Sequence, residues 1–169
     1  MTQVLVAAGS NVEPLENLRR ALDVLAAHYP RLRCSTAYRN RAIGFEGEDF
    51  VNLVVGFDTD DDLATVIGHL HAAEGACGRA RNASKWAPRS MDLDILLYGD
   101  RVCDEPGLVL PRPDLARRAY MLGPAAELAP DTVHPTLGRT LADLWREFAQ
   151  HEHALTSVDL DWSPSRNPC

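Results

Sequence analysis

The chain has 169 residues, 46% hydrophobic and 24% charged, enough apolar mass for one compact core without disulfide or metal staples. Its formal net charge of −7 argues against broad electrostatic binding to a nucleic-acid backbone. Cys34, Cys77, Cys103 and Cys169 are scattered and form no Cys-x-x-Cys pair, so neither a disulfide framework nor a thiolate zinc site is indicated.

The N-terminus enters directly into the apolar run Val4-Leu5-Val6-Ala7-Ala8, the first strand, with no basic leader and no membrane-spanning stretch, which predicts a cytoplasmic protein away from membranes. Leu15, Leu18, Ala21, Leu22 and Leu25 then recur at helical spacing as far as His28, behind a start signal at Asn11 to Pro14. Leu32 to Tyr38 and Phe50 to Phe57 alternate as strands, joined by a Gly/Glu-rich loop from Ile43 to Asp49. Asp60 or Asp61 is placed to cap a second helix reaching about Cys77, with Leu63, Val66, Ile67 and Leu70 inward. Ile95-Leu96-Leu97-Tyr98 reads as a buried strand ended by Gly99-Asp100, with Asp92 and Asp94 on its first residues.

The order β-α-β-β-α-β is ferredoxin-like and α+β: an antiparallel sheet with helices on one face. Further helices follow at Ala119 to Leu128 and Thr140 to about His151. One domain over residues 1–157 is expected, with a loosely ordered tail from Val158 that holds Pro164 and Pro168.

The densest chemistry lies between Arg79 and Asp94, where Arg79, Arg81, Lys85, Trp86 and Arg89 precede Asp92-Leu93-Asp94. Side chains alternate along a strand, so both carboxylates share a face while Leu93 turns into the core. Two hard oxygen ligands on one face suit Mg²⁺ held together with substrate phosphates. Arg112, Arg117 and Arg118 form a second basic group, and two cation clusters on an acidic chain suit a small polyanion such as a nucleotide. Taken alone, Asp-x-Asp is equally a solvated or capping pair, the cations a solvated face, and Phe50 and Tyr120 ordinary core aromatics.

In chain order, Gly9-Ser10-Asn11, Phe50-Val51-Asn52, Glu74 with Gly78-Arg79, Lys85 through Asp94, and Arg118-Ala119-Tyr120 form a set. From about Val4 to Trp145 the chain resembles the 6-hydroxymethyl-7,8-dihydropterin pyrophosphokinase family. The resemblance implies transfer of a pyrophosphoryl group from ATP to the pterin hydroxymethyl oxygen. Asp92 and Asp94 would hold two Mg²⁺ ions, with Arg79 and Arg89 completing the catalytic set. His71, Glu74, Arg79, Arg81, Lys85, Trp86, Arg89, Ile95, Arg112 and Arg118 fall at ATP-binding positions. Asn40, Ile43, Gly44, Phe50, Asn52, Trp86, Asp92 and Tyr120 fall at pterin-binding positions.

The implied roles suit the side chains. Guanidinium forks grip phosphate oxygens, aromatic faces orient a flat ring, and Asn52 offers both a donor and an acceptor to a pterin amide edge. Trp86, in a polar loop, suits a lid that excludes water. Two features depart from the family pattern: Arg112 stands where a histidine is usual, and Arg41-Ala42 replaces prolines of the pterin loop. They keep open a divergent paralog with the ATP site but a modified pterin, or without turnover. A non-catalytic ferredoxin-like module is the remoter reading. An RNA-binding sheet fits poorly with the acidic pair and the net charge. ATP and the pterin are the expected partners, with the oligomeric state open and a monomer as the default.

Overall fold

The computed structural model describes residues 1–40, 49–77, 91–148 and 155–163. They run β1 (Thr2–Ser10), α1 (Pro14–His28), β2 (Arg33–Cys34), β3 (Ala37–Asn40), β4 (Phe50–Thr59), α2 (Leu63–Ala76) and β5 (Asp92–Tyr98). A hairpin of β6 (Cys103–Glu105) and β7 (Leu108–Leu110), a 3-10 turn (Pro113–Ala116), α3 (Ala119–Leu128), α4 (Leu141–Phe148) and β8 (Thr156–Val158) complete them.

The main sheet has the order β5-β1-β4-β3-β8, with β2 also on β4, and the pairings are antiparallel. Its central strands are apolar on both faces, as a sheet covered on both sides requires. Val4, Val6 and Ala8 of β1 join a core with Leu18, Leu22 and Leu25 of α1 and Val66 and Leu70 of α2. Leu5 and Ala7 point the other way, into a second core with Met121, Leu122 and Ala125 of α3. The expected β-α-β-β-α-β order is therefore present, and the two C-terminal helices back the sheet's other face.

Local chemistry explains the boundaries. Pro14 occupies the first turn of α1, where its missing N–H costs no helical hydrogen bond. The cap of α2 is Asp62, whose Oδ1 accepts from the Thr65 N–H at 2.8 Å, one residue beyond the expected pair. Asp61 is engaged elsewhere: its Oδ2 accepts from the Tyr29 hydroxyl and its carbonyl from the Tyr98 hydroxyl.

The strand expected over Leu32 to Tyr38 is broken into β2 and β3. Ser35 Oγ accepts from the Val54 N–H, while Thr36 turns its N–H and hydroxyl toward the Glu127 carboxylate on α3. The β6–β7 hairpin was not foreseen. Nor was β8, which occupies part of the segment expected to be loosely ordered; residues 164–169 lie outside the described residues. No described helix is long and apolar enough to cross a membrane.

Candidate active site

The β5 pattern does what its period-two spacing predicts. Leu93 and Ile95 enter the core against α1 and α2, whereas Asp92 and Asp94 are half-exposed and line one cleft. A bulge then shifts the register, because Leu5 pairs with Leu97 and Val6 with Ile95. Leu96 and Leu97 consequently both enter the core against α3, as the extra residue of a bulge allows. Carboxylates stand at the start of the strand and wholly apolar residues anchor its remainder.

The cleft has a volume of about 360 Å³ and lies on the α3 side of the sheet. Its floor is small: Ala7, Ala8 and Gly9 of β1 line it, with Asn40, Phe50 and Asn52 at one end and Asp92 and Asp94 at the other. Arg118, Tyr120 and Met121, at the start of α3, close it from above. Aligned peptide dipoles give a helix N-terminus partial positive charge, so phosphate oxygens are favoured beside the exposed Arg118.

Register explains the convergence. Gly9 pairs with Asn52 on one side and with Asp92 on the other, so carboxamide, glycine and carboxylate form one row across three strands. A Cβ on Gly9 would collide with Asn52 Oδ1; glycine leaves the space in which that side chain lies. Asn52 is 9% exposed, and its Nδ2 donates to Asn40 Oδ1 on β3. The bond fixes which way both carboxamides face.

Arg112 approaches from behind the 3-10 turn. Its Nη1 lies 3.6 Å from Asp94 Oδ1, with both side chains 37% exposed, a partly solvated pair that contributes little to stability. Its backbone N–H donates to Leu96 O at 3.0 Å, which ties the turn to β5. Its Nε is buried without a hydrogen-bond partner.

Other expected site residues lie apart from the lining. Glu74 is 9% exposed beneath β5, where its Oε2 accepts from the Leu93 N–H at 3.4 Å, a position that supports the carboxylate strand. His71 is exposed on α2, and Ile95 is a core residue. Ile43, Gly44, Arg79, Arg81, Lys85, Trp86 and Arg89, together with the substituted Arg41-Ala42, lie outside the described residues. Ala7, Ala8 and Met121 enter the lining unannounced. Their only sequence signal is the run of small residues before Ser10.

No group of three or more His, Cys, Asp or Glu suited to a metal occurs among the described residues. Two adjacent hard carboxylates therefore fit an ion that brings further oxygen ligands with it, as Mg²⁺ does with phosphates. Burial pushes the Cys34 thiol up to about 12, so it stays protonated and inert near neutral pH.

Fold and cleft define the class: a ferredoxin-like α+β transferase of small molecules. A family profile described as 7,8-dihydro-6-hydroxymethylpterin-pyrophosphokinase matches residues 5–130. The chain belongs to that family. It is 38% identical over 143 residues to the 2-amino-4-hydroxy-6-hydroxymethyldihydropteridine pyrophosphokinase of Synechocystis sp., covering 83% of this chain and 73% of that one. The Pseudomonas aeruginosa enzyme of the same name is 39% identical over 147 residues, covering 84% and 89%. The fold is shared with wild-type Plasmodium falciparum HPPK-DHPS at a TM-score of 0.66 and 13% identity, over 89% of this chain. This chain spans 45% of that longer one.

Proposed function

We propose that the protein transfers the β,γ-pyrophosphoryl group of Mg-ATP to the hydroxymethyl oxygen of 6-hydroxymethyl-7,8-dihydropterin, releasing AMP. Family membership supports the reaction. The row Asp92, Gly9, Asn52 is the observation that carries the arrangement, because it sets an anionic end and an amide end 2 strands apart in one cleft.

Asp92 and Asp94 are the residues to hold Mg²⁺, which when bound neutralises phosphate charge and lowers the pKa of a coordinated hydroxyl. Arg118 and the start of α3 bind phosphate oxygens from above. Asn52, held by Asn40, reads the pterin amide edge, while Phe50 and Tyr120 supply aromatic faces for the ring. The scaffold thereby brings an attacking oxygen and a phosphorus together, where positioning and electrostatics supply most of the catalysis. Arg112 takes part by offsetting the charge of Asp94 until the nucleotide's own charges arrive.

A coupled assay for AMP, with ATP, Mg²⁺ and the pterin, tests the proposal. AMP formation that requires the pterin is expected. Calorimetric binding of ATP without any pterin-dependent AMP would overturn the reaction and point to the divergent paralog.

A further inference from the structure

The row of the cleft does not stop at Asn52. Asn52 pairs with Tyr38 of β3, and Tyr38 pairs with Ser157 of β8, so the C-terminal strand extends the same row. β3 has only 4 residues and ends at Asn40, the residue that holds the Asn52 carboxamide. So short a strand, paired on one side alone, frays readily. Its outer side is covered by β8 through the pairs Ala37–Val158, Tyr38–Ser157 and Arg39–Thr156.

Beyond β8 the chain is tied to α1. Leu160 is 8% exposed within the α1/α2 core, and its carbonyl accepts from Arg19 Nη1 at 3.1 Å. Trp162 packs against the same core, and its Nε1–H donates to Asp23 Oδ1 at 2.9 Å. Arg19 and Asp23 lie about one turn apart on α1. The segment is thus fastened at three places, to a sheet edge, a core and a helix. β5, with its carboxylates, lies at the opposite edge of the sheet, out of its reach.

We propose that residues 155–163 act as a positioning strap. By closing the edge of β3 they hold Asn40, and through it the Asn52 carboxamide, in the orientation that receives the ring substrate. They do so without touching that substrate. The identity of the ring substrate as a pterin rests on the reaction proposed above; the mechanical link does not.

Two variants test the strap: a chain ending at Ala154, and full-length Trp162→Ala, which releases the α1 anchor more gently if the truncation does not fold. The KM for the pterin is expected to rise about fivefold or more in either, with kcat at saturating pterin and the KM for ATP within about twofold, the signature of lost ground-state positioning. Amide exchange at Tyr38 to Asn40 and at Asn52 should quicken without substrate. Unchanged pterin KM and unchanged exchange in Trp162→Ala would overturn the strap, as would an equal loss in kcat and both Michaelis constants. If the full-length chain makes no pterin-dependent AMP, the proposed reaction falls. The exchange rates then decide the strap alone: faster exchange in Trp162→Ala supports it, and unchanged exchange overturns it.

Discussion

The two ends of the cleft are built differently. At the carboxylate end, β5 pairs with β1 over 6 positions and sends apolar side chains into both cores, so Asp92 and Asp94 are carried by heavily buried backbone. At the amide end, β3 meets β4 over 3 positions, and orientation depends on one side-chain hydrogen bond, on the space above Gly9 and on a strand from the C-terminus. Charged groups here rest on the core, and the groups suited to read a ring rest on local fit. Damage to the first should appear in the chemical step with little loss of fold. Damage to the second should appear in substrate affinity.

The sharpest break comes from Asp94→Ala. A half-exposed ligand contributes little to the core, so melting should hardly change, while the rate should fall by far more than the tenfold that corresponds to about 1.4 kcal/mol of barrier. More than about a tenth of the rate remaining would remove Asp94 from the metal site.

Gly9→Ala probes the amide end. The new methyl must displace the Asn52 carboxamide, and overpacking of this kind costs about 1–3 kcal/mol. The pterin KM should rise about tenfold with the KM for ATP nearly unchanged. In an Asn52→Ala background the same substitution should do much less, because the group it strikes is gone.

Arg112→His asks whether the cation beside Asp94 serves the nucleotide. A change of a few-fold in the KM for ATP is expected, with less than about 1 kcal/mol of stability lost, given the partly solvated ion pair. An unchanged KM would mean that Arg112 does not meet the nucleotide.

The smallest effect lies away from both ends, at His134. Its buried Nδ1 accepts from the Leu137 N–H at 3.2 Å, and burial lowers its pKa. The folded state therefore takes up a proton less readily than the unfolded state, whose histidine titrates near about pH 6.5. Stability is full above that value and is lost as the pH falls through it toward the folded pKa. Urea melts at about pH 7.5 and 5.5 should show this loss in the wild type and less of it in His134→Gln, with the pterin KM at pH 7.5 unaffected.

The carboxylate end was the more legible in the sequence, for the same physical reason. Asp92-Leu93-Asp94 followed by Ile95-Leu96-Leu97 declares its strand and its two faces locally, as do the apolar residues of α1. The cap of α2 slipped by one because Asp60, Asp61 and Asp62 offer the same chemistry, and only the engagement of Asp61 by Tyr29 and Tyr98 decides among them. The break between β2 and β3 depends on Glu127, 91 residues away from Thr36. Gly9 was visible as a landmark, but its purpose requires knowing that Asn52 lies beside it. β8 is only Thr156-Ser157-Val158, too short and too polar to announce a strand. What stayed hidden depends on partners distant in sequence.

The central claim is a division of labour along one cleft, and steady-state rates of Asn52→Ala and Asp94→Asn over a grid of both substrates test it most directly. The pterin KM should rise about tenfold or more in Asn52→Ala with kcat within about threefold, whereas kcat should fall about a hundredfold in Asp94→Asn with the pterin KM within about threefold. The same parameter failing in both variants, to a similar extent, would contradict the account.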